Sequence, residues 1–315
     1  MSGKNATETL PADAAGIARA AQILRDGGLV AVPTETVYGL AARADSETAV
    51  ARIYRAKGRP SFNPLIVHVA TLEQAEAIAE FSSAAMALAD RYWPGPLTLV
   101  LPKRTNAALA DDVTAGLNTI ALRMPDHPVM RAVIEAVDAP LAAPSANRSG
   151  FVSPTAAEHV LASLDGLIDA VLDAGSCRAG LESTIVAVRE NGSLILLREG
   201  PLGIEGVQQA VQGKIEAPGQ MLSHYSPGKP VRLDVTQPYA DEFWIGFGHW
   251  QGDANLSPGG DLNKAAANLY DCLHRASMAE QARVAVAPVP DEGIGRAIND
   301  RLRRAAAPRD QRSGS

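Results

Sequence analysis

Short, almost unbroken apolar runs alternate with amphipathic stretches along nearly the whole chain, and this alternation limits the fold more than any other feature. Leu29–Val32, Leu65–Val69, Leu97–Leu101, Thr119–Leu122, Leu141–Ala143, Ile168–Leu172, Thr184–Val188 and Leu194–Leu197 have strand composition. Between them, helical spacing and capping signals mark five segments. Leu10–Asp26 places Pro11 in its first turn and stops at Gly27-Gly28. Asp45 or Ser46 caps a helix through Ala56, with Gly58 ending it. Thr71 with Gln74, and Thr155 with Glu158, have capping-box spacing, and Pro128–Val137 follows Asp126. Interleaving of this kind predicts an α/β fold built on a twisted sheet whose strand directions are mixed.

A chain of 315 residues allows two domains at about 150 residues each. Gly213–Pro230 is rich in proline and glycine and has no hydrophobic period, so it reads as an extended linker. We therefore expect a first domain over residues 1–212, a linker over 213–230 and a small α/β domain over 231–308. Val231–Val235, Phe243–Phe247 and Arg283–Ala287 would be strands of the second domain. Asp261–Met278 would be its amphipathic helix, with Leu262, Leu269, Cys272, Leu273 and Ala276 on the apolar side. The tail Arg303–Ser315 is polar and poor in large apolar residues and is expected to be disordered, with 309–315 lying beyond the second domain.

Several function classes drop out on composition. No apolar run approaches the ~18 residues of a membrane span, and the N-terminal stretch lacks the pattern of a secretory signal. Cys177 and Cys272 are too few for a zinc ribbon or a disulfide framework, so reduced thiols and a cytoplasmic location are expected. A net charge of −6 weighs against sequence-independent nucleic-acid binding, though it does not exclude a local basic pocket. No G-x-x-x-x-G-K-[ST], H-E-x-x-H or G-x-S-x-G occurs, and Gly246-Phe247-Gly248 and Gly293-Ile294-Gly295 each lack a third glycine at the dinucleotide spacing.

What remains is a series of polar residues at the ends of predicted elements. Pro33-Thr34-Glu35-Thr36-Val37-Tyr38-Gly39-Leu40 follows the first apolar run and reads as a strand-to-helix loop that either binds a ligand or simply caps a helix. Lys57-Gly58-Arg59-Pro60 offers a point charge and a planar fork, suited to a polyphosphate or to a helix C-terminus. His68 lies inside an apolar run, where a satisfied core histidine is the plain alternative. Arg123 closes a strand and suits a carboxylate; Ser145 and Asn147 can donate to oxygens or form Asx turns. Glu182-Ser183-Thr184 and Arg198-Glu199-Gly200 bound two further strands.

Taken together, PTETVYGL, KGRPSFNPLIVH, WPGPLTLVL, ALRMPDHP, APSANRSG and ESTIV, in this order, closely resemble the threonylcarbamoyl-AMP synthase (YrdC-like) family in its longer form, over about Ala20 to Gly203 and into Ser223-His224-Tyr225-Ser226-Pro227. The resemblance implies a twisted sheet with a large concave basic cavity and a Rossmann-like second domain. It implies synthesis of L-threonylcarbamoyladenylate and pyrophosphate from L-threonine, bicarbonate or carbon dioxide, and ATP. The product would pass to a separate transferase complex that modifies tRNAs reading ANN codons, so direct tRNA binding should be weak or none. By the same resemblance Lys57, Arg59, Ser145 and Asn147 would surround the phosphates and the reacting centre. Asn63, Thr119, Ser153, Arg198 and Tyr225 would contact the nucleotide, as would Arg59 and Ser145. Thr36, His68, Arg123 and Ser183 would hold threonine, with Arg123 on its carboxylate. His224 and Tyr225 would form a lid over the cavity, and Mg2+ would arrive with the ATP phosphates rather than on protein side chains. Deletion of Met221–Pro227 would then uncouple ATP cleavage from product yield. Two other readings compete with it: a carbamoyl-adenylate module of hydrogenase maturation, whose zinc-finger and acylphosphatase regions find no room here, and a non-catalytic RNA-binding module, disfavoured by the charge and the lack of an aromatic–basic stripe.

Overall fold

The structure is a computed structural model that describes residues 6–210, 215–220 and 223–308. Its elements, in chain order, are β1 (Glu8–Pro11), α1 (Ala14–Arg25), β2 (Val30–Val32), β3 (Gly39–Arg43), α2 (Glu47–Lys57), β4 (Ile66–His68), α3 (Leu72–Ile78), α4 (Ser83–Tyr92), β5 (Leu97–Pro102), β6 (Thr119–Arg123), α5 (Pro128–Val137), β7 (Leu141–Ala142), α6 (Ala157–Leu164), β8 (Ala170–Asp173), β9 (Thr184–Val188), β10 (Leu194–Arg198) and β11 (Gln208–Gln209). After the linker come β12 (Val231–Arg232), β13 (Glu242–Gly246), β14 (Ala254–Asn255), α7 (Leu262–Met278), β15 (Arg283–Val286) and α8 (Gly295–Ala306).

The first eleven strands form one sheet in the order β1-β8-β2-β3-β7-β4-β6-β5-β9-β10-β11. It is mixed, as its composition predicts: β4 pairs parallel with β6, while β3, β7 and β5 each run antiparallel to a neighbour. The second sheet is parallel throughout, in the order β12-β15-β13-β14. Central strands such as β2 and β9 are buried along their whole length, which explains why they read as continuous rather than alternating apolar runs. Helix ends follow local chemistry. Ser46 Oγ accepts from Ala49 N to open α2, and Gly58, at φ 58°, closes it in the left-handed conformation. Asp261 caps α7 by accepting from the amides of Asn263 and Lys264.

Four sequence expectations need correction. Leu10 and Pro11 do not begin the first helix; they lie in β1, which pairs parallel with β8, and Asp13 caps α1 instead. Long-range strand pairing thus overrides a local helix-start signal. The Thr34–Tyr38 segment joins two antiparallel strands, β2 and β3, rather than a strand and a helix. Thr155 does not cap α6: its amide instead donates to His159 Nδ1, and the helix starts one residue later on Ala156 without a side-chain cap. Finally, α8 runs on to Ala306, because Ile298, Leu302 and Ala305 form a buried stripe; the expected tail, 309–315, lies outside the described residues.

The two sheets do not stand apart. The core cluster beneath the second sheet contains Val37, Val152 and Leu181 from the first sheet's loops and Tyr225 from the linker, packed with Leu269, Tyr270 and Leu273 of α7 and Ile298 and Leu302 of α8. Gly180, at φ 68°, lies so close to α7 that a Cβ would come within 2.4 Å of Ala267 Cα. Both cysteines are free thiols, Cys177 in the core of the first sheet and Cys272 in that of the second.

Candidate active site

The β2–β3 loop is organised by its own hydroxyls. Thr34 Oγ1 donates to Val37 O at 2.7 Å and accepts from the amides of Thr36 and Val37. Alongside it runs the Pro144–Asn147 segment that follows β7: Leu40 N donates to Pro144 O, Ala146 N to Tyr38 O, and Gly39 bridges Ser145. A side chain at Gly39 would press on Ala143 Cβ at 3.2 Å, so the close approach of these two loops depends on that glycine.

The two loops border a cleft of about 540 Å³ of empty space, part of it open to solvent. Ile66 and His68, two apart on β4 and therefore on the same face, both line it. Its floor is thus a face of the sheet, not the C-terminal edge of a parallel array. Thr36, Arg59, His68, Arg123, Ser145, Ser183, Arg198, His224 and Tyr225 all line this cleft. They come from widely separated parts of the sequence. Lys57, Asn147, Asn63 and Ser153 stand behind the wall, buried, and Thr119 starts β6 four residues before Arg123, about 13 Å away along the strand.

Each cation is held by specific partners. Lys57 Nζ donates to the carbonyls of Ser145 and Asn147, tying the end of α2 to the loop after β7. Burial, with Arg59 nearby, lowers the Lys57 pKa well below its usual value. Arg59 donates through Nε to Asn63 O and through Nη2 to Pro64 O, and burial pushes its pKa down to about 10. Arg198 donates to Ser183 O, to Ser183 Oγ and to Pro218 O, so a guanidinium on β10 fixes both the start of β9 and the linker. Arg123, in register with His68 on the adjoining strand, donates to Thr36 Oγ1 at 2.9 Å. Its Nη2 lies 2.6 Å from Glu35 Oε1 in an ion pair whose side chains are 4% and 2% exposed. Burial, followed by the Arg123 charge, pushes the pKa of His68 down to about 3; His224 is also near 3, chiefly through burial.

Two carboxylates in this region escaped the sequence-level candidate set. Glu35 sat inside a noted motif, but its role as the buried partner of Arg123 depends on the fold bringing the β2–β3 loop against the end of β6. Glu182 lines the cleft itself, accepting from Ser153 Oγ at 2.6 Å, Tyr270 OH at 2.7 Å and Arg301 Nε at 3.2 Å. Burial opposes its charge, but Arg301 and Arg198 outweigh it and hold the carboxyl at about 2. Tyr270 and Arg301 carried no motif, and only the packing of the second sheet against the first reveals them. The cleft is therefore rich in fixed cations and hydroxyl donors, and its lining carboxylate Glu182, like the buried Glu35 against Arg123, is paired to an arginine. Such a set suits an anionic ligand whose charge moves or develops during reaction.

The chain is similar to known proteins over most of its length. The family described as "Telomere recombination" matches residues 22–200, and that described as "Threonylcarbamoyl-AMP synthase, C-terminal domain" matches residues 187–307. A threonylcarbamoyl-AMP synthase of Pyrococcus abyssi is 39% identical, covering 91% of this chain and 93% of its own. One from Bacillus subtilis is 40% identical over 96% of each chain. The crystal structure of the P. abyssi protein complexed with L-threonine superposes with a TM-score of 0.86 at 36% identity, covering 95% of this chain and 97% of its own.

Proposed function

The chain belongs to the threonylcarbamoyl-AMP synthase family, and on that premise we propose that its cleft condenses L-threonine, bicarbonate or carbon dioxide, and ATP into L-threonylcarbamoyladenylate and pyrophosphate. It is a transferase of the nucleotidyl kind. The observation that carries the reading at the level of this molecule is the convergence of Arg59, Arg123, Arg198, Ser145, Ser183, Thr36 and His68 on one cleft from distant parts of the chain.

The chemistry asks for that set. Threonine's amine adds to carbon dioxide, forming an N–C bond and releasing a proton. A carbamate oxygen then attacks the α-phosphorus in line, and the bond to the β-phosphate oxygen breaks as pyrophosphate leaves. Negative charge is concentrated at each stage, so prearranged donors matter more than a nucleophilic side chain. Lys57, Arg59, Ser145 and Asn147 would order the phosphates; Asn63, Thr119, Ser153, Arg198 and Tyr225 would contact the nucleotide. Arg123 would meet threonine's carboxylate, with Thr36, His68 and Ser183 around the remainder of the amino acid. A neutral His68 fits this, because it accepts or donates a hydrogen bond without adding charge. Glu182 in the cleft lining and the buried Glu35 beside Arg123 are both committed to arginines, so the donor set fits Mg2+ carried on the triphosphate, where it would offset phosphate charge.

In this reading residues 1–212 form the catalytic unit, 213–230 a linker that covers the cleft and 231–308 a second unit. The product, a reactive acyl-adenylate, would pass to a separate transferase complex acting on tRNAs that read ANN codons, with the synthase working in the cytoplasm. No helix among the described residues is long and apolar enough to cross a membrane.

Pyrophosphate release from ATP, with threonine and bicarbonate omitted in turn, tests the reaction. Release is expected only with both present, and Lys57→Ala or Arg59→Ala should lower it about 100-fold or more. Release indifferent to threonine would overturn the substrate assignment. Met221 and Leu222 of the expected lid lie outside the described residues, so deletion of 223–227 is the sharper test of coupling: pyrophosphate should continue to form while adenylate yield falls.

A further inference from the structure

From the contacts that cross between the two sheets, and taking the proposed reaction as given, we infer that Tyr270 and Arg301 are positioning residues for the cleft, acting through Glu182 and Tyr225. Neither touches the cleft space; both belong to helices of the second unit, α7 and α8. Arg301 has no exposed surface, and its guanidinium reaches across to Glu182 and also pairs with Asp300 at 3.0 Å. Tyr270, equally buried, donates its hydroxyl to the same Glu182 oxygen.

Two consequences follow from charge and packing. Glu182 presents a carboxylate to a cleft that receives a polyphosphate, and an unbalanced negative charge there would repel the substrate. Arg301 balances it from behind, and Ser153 and Tyr270 hold its oxygens in place. Tyr225 is the second element. It is a bulky residue at φ 62°, a backbone region such residues rarely occupy, and it is 1% exposed. Its ring stacks on Tyr270 at 5.6 Å and lies 5.4 Å from the Arg301 guanidinium. The backbone beside it is tied to the same helix end, His224 N donating to Arg304 O at 3.2 Å. The second unit thus supplies the surface on which the linker's strained turn is seated against the cleft.

The test compares the wild type with Arg301→Met, Tyr270→Phe and the charge-matched double variant Arg301→Met/Glu182→Gln. Two readouts are taken on the full chain: amide exchange of the segment around Tyr225, and KM for ATP against kcat in threonine-dependent pyrophosphate release. Arg301→Met is expected to speed exchange of that segment and raise KM for ATP, each about tenfold or more, with kcat within about threefold. Tyr270→Phe should shift both in the same direction by less. The double variant should bring KM back to within about threefold of wild type, since it removes the unbalanced carboxylate together with its partner. Unchanged exchange and KM in both single variants would overturn the inference, as would a double variant no better than Arg301→Met. If Arg301→Met does not fold, Tyr270→Phe decides alone. A wild type that releases no pyrophosphate with threonine would defeat the functional reading, while the exchange data would still decide this one.

Discussion

Arg123 and Glu35 illustrate how far single residues govern this protein. Each is almost wholly buried, each is charged, and their side chains are held 2.6 Å apart. Removing either leaves a charge stranded in a low-dielectric wall, which typically costs about 3–5 kcal/mol. Glu35→Ala should therefore lose stability of that order in denaturant unfolding, in addition to any loss of activity. Acid should act through the histidines. His68 and His224, both near 3 when folded, take up protons at about 6.5 when unfolded. Between those values the unfolded chain binds more protons, so stability falls as pH drops below about 6.5 and continues to fall toward 3. Glu182, at about 2 against an ordinary 4.5, adds a further loss below pH 4.5. Thermal melts from pH 7.5 to 4 should show the decline, and His68→Asn should make it shallower. The sequence exposed Lys57, Arg59, Arg123 and the Ser145–Asn147 segment because unusual residue types cluster there. It could not show Glu35 as an ion-pair partner, because which strand lies beside which is decided by long-range pairing.

At the level of elements, several helix boundaries were legible from local residue types, though Asp13 of α1 was missed and Thr155 does not cap α6. Ser46, Gly58, Pro128 and Asp261 each do what their type predicts. Strand partners were not, and β1 shows why: four residues with no distinctive pattern become a strand only because β8 offers an open edge. The same dependence on packing governs Gly180. Its positive φ strains any substituent by about 1–3 kcal/mol, and a methyl group would also meet the backbone of α7 at 2.4–2.6 Å. Gly180→Ala should thus do more than destabilise a turn. It should push α7 off the first unit, seen as faster amide exchange in α7 while β4 to β6 keep their protection.

For the whole molecule, the core that the two sheets share matters most. Units joined by a proline-rich segment ordinarily move independently, but here Val37, Val152 and Leu181 are buried in the second unit's own core. A chain ending at Pro227 should expose that patch, bind an apolar dye such as ANS, and aggregate more readily than the full chain. The full chain should unfold in one cooperative step. Length and the Gly213–Pro230 composition suggest two units; that loops of the first sheet lie in the core beneath the second was not legible, because the contributing residues sit in loops without hydrophobic period.

The two free thiols give this architecture an internal clock. Burial pushes both Cys177 and Cys272 up to about 12, so neither should react with an alkylating reagent at neutral pH until its surroundings open. One belongs to each core, which makes every molecule its own pair of labelled halves without any engineering. Mass spectrometry after timed alkylation would then report the order of events directly. Modification of both thiols at one rate would mean that the halves open together, and earlier modification of Cys272 would mean that the second half lets go first.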